Sequence, residues 1–432
     1  MNRIVFTLTL GISLLLTGTN YAQQKVTYFE HVEPIIQKRC APCHRPGTAA
    51  PFSLLRYEDV SKRSKMITLV TSQRYMPPWK ADPHYRSFAN EKRLTEEEIG
   101  TIRDWVLQGS QPGKESRRKP RGVPAIDAAR KPDTTLYARR TYTIRGDGKE
   151  NFILFVIPFE FPEEKNVASI EYLSDNFPTI HHANFGIYAV DAPMDIYADS
   201  IPIPADDYGF IAGRQAELTK NLVYYNGWVP GATPIQFSQE IGIKLPKRGV
   251  IIITNHYAPL STEKQERPAI GLHFSKVPVT RSVRTLSIGS GGVGEIEPPL
   301  ILLANEVSTF RVRMEVSSPL SLMYIWPHMH LLGKKITAYY TTPQNDTIPL
   351  VRINAWDFNW QEAYKFKKLE KLPAGAVLTV EAVYDNTAAN PSNPNTPPQM
   401  VFSDGLMGTK NEMLSLILVY LSYREGDENR DL

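Results

Sequence analysis

The spacing of apolar positions changes once along the chain. From about residue 24 to residue 113 it follows the helical period. In Tyr28-Phe-Glu-His-Val-Glu-Pro-Ile-Ile-Gln37, the side chains of Phe29, Val32 and Ile36 fall on one face. A second helix is predicted to begin at Thr95-Glu-Glu-Glu98, where Thr95 and Glu98 form a capping box for the first free backbone N–H groups. Ile99, Ile102 and Val106 make its apolar stripe, and Gly109 supplies the stop. Beyond residue 133 the period becomes two. Phe310, Val312, Met314 and Val316 alternate with Arg311, Arg313 and Glu315, the mark of a half-buried strand. The runs 151–158 and 249–254 are further strands bounded by turn residues. The pattern predicts a multi-domain chain, a small all-α domain followed by two all-β antiparallel sandwiches. The glycine-rich stretch 288–294 is the predicted seam, dividing residues 133–287 from 288–432. Residues 114–132, basic and aperiodic, read as a linker, and the proline-rich stretch 390–398 as a loop. No sequence repeat is present.

One apolar run fits neither period. Arg3 is followed by apolar residues from Ile4 to Leu16 and by a small residue, Ala22, so residues 1–22 read as a secretory signal. The run is short of the ~20 apolar residues that a spanning helix needs. No cysteine follows it to suggest a lipid anchor, and no later stretch is apolar enough to span a bilayer. The expected location is therefore periplasmic or secreted, with an uncleaved anchor as the lesser alternative.

Charge changes the picture little. The 432 residues carry 49 basic and 45 acidic side chains, a formal net of +4, too weak a bias to argue for nucleic acid. The basic cluster of Lys114, Arg117, Arg118, Lys119 and Arg121 reads as solvated linker. Cysteine content matters more. The only two cysteines are Cys40 and Cys43, so an exported chain of this length gains no disulfide framework from elsewhere and depends on packing and metal.

Cys40-Ala-Pro-Cys43-His44 has the C-x-x-C-H spacing of haem attachment. Two thiols add across the vinyl groups of one haem c, and the adjacent imidazole reaches iron from the same turn. A chance cysteine pair or a redox disulfide are the competing readings. Met76, presented by Arg74-Tyr-Met-Pro-Pro-Trp79, is the preferred sixth ligand, and a His/Met pair suits electron transfer. His84 is the alternative, and Met66 reads as core. The block resembles the small c-type cytochrome domains found fused to larger exported enzymes.

Five of the nine histidines fall in three short motifs of the β region, Ile180-His181-His182, Asn255-His256-Tyr257 and His328-Met-His330. His328 and His330, two apart, project from one face of a strand and can share an ion. His181 and His182 would face opposite sides of a regular strand and need a strand end or bulge to converge. His273 stands alone and reads as structural. A lone strand histidine is more often a hydrogen-bonded core residue; two pairs and His256 together are hard to call accidental.

These motifs resemble the type II copper, ascorbate-dependent monooxygenases, the family of peptidylglycine α-hydroxylating and dopamine β-monooxygenases. The resemblance covers about residues 133–425. It implies two jelly-roll sandwiches, an electron-transfer copper on His181, His182 and His256, and an oxygen-binding copper on His328 and His330. The second copper also takes a methionine, and Asn411-Glu412-Met413 stands at the matching place. Thioether sulfur favours Cu(I), the state that meets dioxygen. Two features depart from the family. No disulfide can brace the sandwiches. Trp326 and Ile417, with Ser415 between Met413 and Ile417, stand where the peptide-amidating members place an Arg and a Tyr for a peptide carboxylate. An apolar or aromatic small molecule fits better than a glycine-extended peptide.

The expected function is an exported monooxygenase that hydroxylates a C–H bond with O2. Met413, His328 and His330 would hold the catalytic copper, and the haem would feed electrons, supplementing or replacing ascorbate or a redox protein. A non-catalytic haem and copper relay or sensor is the alternative, and structural zinc in an adhesive sandwich a third.

Overall fold

The computed structural model describes residues 25–48, 50–115, 131–199, 201–205, 207, 210–232, 234–237, 240–403 and 410–432. The signal sequence expected at 1–22 and most of the basic linker lie outside them. The chain is mostly β, arranged as sandwich sheets with few helices.

The first sandwich pairs two sheets. One runs in the order Ile203–Pro204, Asn151–Glu160, Arg248–Tyr257, Ile180–Ala189 and Leu222–Trp228, antiparallel throughout. The other contains Thr134–Tyr137, Ala269–Phe274, Lys165–Leu173, Ile241–Leu245 and Arg281–Ser282, and only its last pair is parallel. The central strand Arg248–Tyr257 is buried along nearly its whole length, because both faces are covered. That explains its unbroken apolar run.

The second sandwich sets Arg284–Gly289, Ser415–Ser422, Leu320–His328 and Tyr364–Leu372 against Ile296–Glu297, Val307–Glu315, Val377–Asp385, Gly333–Thr341 and Thr347–Ile353. Val307–Glu315 keeps the alternation read from its sequence, with Phe310 and Val312 buried and Arg311 and Arg313 exposed. The chain leaves the first sandwich after Arg281–Ser282 and enters the second at Arg284–Gly289. The change therefore falls just ahead of the glycine-rich run, which turns the chain after that strand.

The sandwiches touch through a shared apolar seam. Along Ser415–Ser422, Leu416 and Leu418 face the second core, whereas Val419 and Leu421 join the core of the first. Met323 and Tyr324 do the same from the neighbouring strand. Arg281 and Asp427, both buried, form a two-pronged ion pair that Ser321 joins, tying the first sandwich to the end of the chain.

Most of the helix lies before residue 108. A π-helical turn, Tyr28–Val32, leads into Glu33–Arg39; Pro34 has no N–H for the carbonyl of residue 30, and Glu33 N–H bonds back to Tyr28 instead. Tyr57–Ser61, Ser64–Ser72 and Glu96–Leu107 complete the set. The capping box of Thr95 and Glu98 is formed, and Gly109 adopts positive φ as the stop. Tyr28, Val32, Ile36, Ile102 and Trp105 centre a separate apolar cluster. Met66, read as core, is 42% exposed, because Ser64–Ser72 turns Ile67 and Thr71 inward instead.

Residues 79–92 do not belong to that cluster. They run along the second sandwich, with Ala81 bridging Ile353 and Phe88 buried against Tyr364 and Phe366. Arg86 pairs with Glu370 and Lys92 with Glu362, while Asn90 caps the strand edge at Ala363 and Lys365. Phe88 is thus the anchor of the docking segment. Its replacement by Ala should cost about 3–5 kcal/mol in urea unfolding, the usual loss for a buried phenylalanine, and should expose 79–92 to limited proteolysis.

Candidate functional site

The His181–His182 pair ends the strand Ile180–Ala189 at an irregularity in its register. His256 faces His182 across the ladder, but the next residue, Tyr257, pairs with Ile180. His181 is skipped, which is the bulge that lets adjacent side chains turn toward one place. The rings of His181 and His182 stand 4.7 and 5.1 Å from that of His256, both edge-on. Phe152, opposite His256 on the other side, stacks on it at 3.8 Å and fixes the plane of the imidazole.

His256 is fully buried, and among the described residues neither ring nitrogen has a hydrogen-bond partner. Buried polar atoms are nearly always satisfied, so two orphaned nitrogens beside two more imidazoles fit a bound cation. Sequence reasoning missed one further donor. Glu150 Oε1 lies 3.5 Å from His256 Nε2, and the ligand atoms of Glu150, His181 and His256 all lie within 4.8 Å of one another. Its only signal was its place directly before a strand that neighbours the histidine strand.

The second histidine group is held more tightly. The rings of His328 and His330 stand 5.0 Å apart, edge to face. His328 Nδ1 meets the side-chain oxygen of Gln361, and His330 Nδ1 meets the carbonyl of Asn411 at 2.8 Å. With its Nδ1–H donating to Gln361, His328 keeps Nε2 for a metal. Glu412 is buried and accepts from the backbone N–H of His330 at 2.9 Å and of Leu332 at 2.7 Å. Burial pushes its carboxyl up to about 8, against the pull of the N–H groups of Leu332, His330 and Met413. The hydroxyl of Tyr384 donates to the Met413 carbonyl, 2.6 Å away. The Asn-Glu-Met segment is therefore clamped to the histidine turn through the Asn411 carbonyl and the Glu412 carboxylate.

The two groups are neighbours. The ring of Phe358 lies 6.0 Å from His182, 6.1 Å from His256 and 5.8 Å from His330. One aromatic side chain thus separates them. Burial first, and then the imidazoles of His256, His328, His181 and His330, hold His182 well below the usual histidine range. Burial and His330 push His328 down to about 3. Phe358 and Gln361 gave no sequence signal, since both sit in an irregular segment before Tyr364–Leu372.

Trp326 and Ile417 are cross-strand partners and both buried. Trp326 lies over Gly227 of the first sandwich, where a Cβ would stand 2.0 Å from the indole. A hollow of about 480 Å³ runs past Asn226, Gly227, Tyr324, Trp326, Gln361 and Lys365. His273 meets Glu171 at 3.4 Å, in keeping with a structural role.

Cys40 to His44 continue the first helix as a turn, closed by the His44 N–H to the Cys40 carbonyl at 2.9 Å. His44 Nδ1 meets the carbonyl of Phe52 at 3.1 Å, which leaves Nε2 available. Burial, with Cys43 and Glu98, pushes the Cys40 thiol up to about 12, and burial raises Cys43 also. Neither is poised as a thiolate, which argues against dithiol redox chemistry. Met76 and His84 line a different hollow with Trp79 and Leu94, to which His44 does not contribute.

Residues 306–394 match the family described as copper type II ascorbate-dependent monooxygenase, C-terminal domain. The match contains His328 and His330 and ends before Met413. No curated protein matches the chain. Among solved structures, two of PNGF-II are similar at 9% identity, with TM-scores of 0.31 and 0.32. The likeness covers 67% and 74% of this chain and 66% and 70% of those chains, so the chain spans just under two thirds of the first. Allantoicase follows at 8% identity, TM-score 0.18, covering 57% of this chain and 81% of that one. These scores carry no argument about fold or activity.

Two outcomes are expected. Gln361→Ala should weaken copper binding at His328 by about 10–100-fold in a chelator titration, as loss of an orienting partner does. Below about pH 6.5 the unfolded chain takes up protons that the neutral, buried His182 and His328 refuse, so stability should fall with pH. Glu412 works the other way between its ordinary 4.5 and about 8, binding a proton in the fold. The urea midpoint of the metal-free chain should therefore fall from pH ~4.5 toward ~3, where Glu412 no longer differs between the folded and unfolded chain and lowered carboxylates such as Asp427 add to the histidines, and His328→Gln should lessen that fall.

Proposed function

We propose that the chain is an exported, copper-dependent monooxygenase that hydroxylates a C–H bond of a small organic molecule with O2, drawing electrons through a haem bound at Cys40, Cys43 and His44. The observation that carries the reading is the convergence of two histidine groups on one ring, Phe358, with the Asn411–Glu412 segment that precedes Met413 tied to the second group. The family match over 306–394 supports it, and no helix among the described residues is long and apolar enough to cross a membrane.

Copper, when bound, supplies one-electron redox chemistry toward O2. The protein's own contribution is position. Gln361 and the Asn411 carbonyl orient the two imidazoles of the second centre, and Glu412 fixes the turn from His330 to Leu332. Phe358 stands in ring contact with His182, His256 and His330, one apolar side chain shared by both centres. The hollow beside Trp326 and Gln361 reaches the His328 partner and is lined by the indole of Trp326 and the phenol of Tyr324 together with Lys92, Lys365 and Glu362. An apolar or aromatic substrate suits its Trp326 face.

The haem reading draws support from placement. A Cβ on Gly231 of the first sandwich would meet Cys43 Sγ at 2.1 Å. Cys43 also feels the charges of Lys92 and Glu362, and Glu362 adjoins Gln361. The attachment turn therefore lies close to the segment that holds His328, where an electron donor is useful. Met76 as sixth ligand remains part of this proposal.

Protein matured with haem attachment should contain two coppers and one haem per chain. His328→Ala and Met413→Ala should abolish O2-dependent hydroxylation while leaving the haem spectrum unchanged. Undiminished product formation by either variant would sink the assignment, and zinc without reducible copper would favour a structural metal instead.

A further inference from the structure

We propose that the hollow between the two sandwiches takes an arylalkyl carboxylate, with Lys365 holding the carboxylate and Trp326 carrying the apolar body. This rests on the copper reading above for its chemistry and deepens it by naming the class of molecule.

The register of one sheet sets the arrangement. In the second sandwich Lys365 is the cross-strand partner of Tyr324, and Tyr324 is the partner of Val419. Partners across a ladder project from the same face, and Trp326, two residues beyond Tyr324, projects from it too. That face is turned toward the first sandwich. Tyr324 and Val419 belong to the apolar core there, and Trp326 lies over Gly227. Tyr364 and Phe366, on either side of Lys365, belong to the core of the second sandwich. Alternation therefore places a lysine beside Tyr324 and Val419, on a surface that faces the seam.

The charge of this lysine is not met by the protein. The hollow of about 480 Å³ is lined by two lysines, Lys92 and Lys365. Lys92 Nζ stands 2.6 Å from Glu362 and is neutralised there. Among the described residues Lys365 Nζ has no ion-pair partner, and its nearest aromatic neighbour is the Tyr324 ring at 5.9 Å. Asn90 is already committed, accepting from the Lys365 backbone N–H and donating to the Ala363 carbonyl. Burial alone holds the Lys365 ammonium below the usual lysine range. A lysine that served only to cover Tyr324 with its stem would carry its ammonium out to water. This one is half-buried at a cavity wall, where a carboxylate would gain a charge-assisted bond.

The same register orients the ligand. Trp326 lies two residues before His328, and Tyr324, the partner of Lys365, four residues before it. At ~3.3 Å per residue a carboxylate at Lys365 is held about 13 Å along the strand from His328, on the far side of the indole. The apolar end is thereby directed toward Gln361, which lines the hollow and orients His328. The acid is held from the strand Tyr364–Leu372, not from positions 326 and 417.

The test uses the full chain, matured with its haem attachment and stripped of copper by chelation. It is titrated calorimetrically with phenylpropanoate and with phenylpropanamide, a neutral molecule of the same shape. The unsubstituted chain should bind the anion about tenfold more tightly than the amide, or better, the usual strength of a hydrogen bond to a charged group. Lys365→Met keeps the stem and removes the charge. It should bring the anion down to the affinity of the amide and leave the amide within a few-fold of its parent value. Lys365→Arg should keep the preference, and Trp326→Leu should weaken both probes alike. Equal affinities in the unsubstituted chain, or no binding of either probe in the millimolar range, overturns the proposal. So does a preference that survives in Lys365→Met, or undiminished binding in folded Trp326→Leu. Copper affinity is read separately by chelator competition. A chain that prefers the anion through Lys365 but takes up no copper keeps this site and loses the reaction; one that takes up copper at His328 but shows no preference does the reverse.

Discussion

Gly227 has no side chain, and the indole of Trp326 occupies the space a Cβ would need. That contact sets how closely the two sandwiches approach. Trp326 lies two residues before His328 on one strand, and Gly227 pairs with Asn184, two residues after His182, on the facing sandwich. The tryptophan–glycine contact thus lies one strand step from both histidine groups. A larger residue at 227 would wedge the sheets apart, and the imidazoles would no longer share Phe358. Packing at the seam is what makes two weak sequence motifs into one site.

The cost of that arrangement is electrostatic. Burial and neighbouring imidazoles hold His181, His182 and His328 below the usual histidine range, and the ring nitrogens of His256 lack a hydrogen-bond partner among the described residues. Such a group destabilises the fold by the desolvation of two nitrogens, about 1–3 kcal/mol for each. A metal ion offsets this by bonding to the nitrogens directly, which couples metal binding to stability. The second group shows how the protein treats histidines it wants to orient: Gln361, the Asn411 carbonyl and Glu412 are each committed to it. The first group has no such partners. Its rings are held by stacking on Phe152 and by the bulge, and Glu150 is the only carboxylate beside them among the described residues.

Much of this was legible in the sequence because it rests on local rules. Period two marked the sandwich strands, and the Thr95–Glu98 box marked a helix start at its true position. The need for a bulge at His181 followed from adjacent residues on one strand, and the ladder has it there. The rest was not legible, for physical reasons. Met66 sits in an apolar run whose inward face is chosen by packing, not by composition. Phe358 and Gln361 lie in an irregular segment with no period to read. Glu150 becomes a neighbour of His256 only through pairing of strands about a hundred residues apart, a distance at which sequence spacing carries no information. The crossover at Val283 was obscured because the glycine run that looks like a seam only ends the first strand of the second sandwich.

The segment carrying Phe358 and Gln361 has little regular structure, yet it must hold two side chains of the site to within a fraction of an ångström. Its support comes from the N-terminal block. Lys80 pairs with Asp357, Asp82 accepts from Asn354, and Lys92 pairs with Glu362, so each end of the segment is tied by an ion pair to residues 79–92. Individually, partly exposed pairs are worth little. Here they act together with Phe88, whose burial anchors the docking segment, and their effect is to reduce the freedom of a loop rather than to add to global stability. The N-terminal block is therefore a structural part of the site, whatever it carries at Cys40 and Cys43. A cleaved or separately expressed pair of sandwiches would keep its histidines but lose the brace that keeps Gln361 on His328. Docking of the N-terminal block is thus explained by mechanics before any transfer of electrons is considered, and the proximity of Cys43 to Glu362 comes from the same docking.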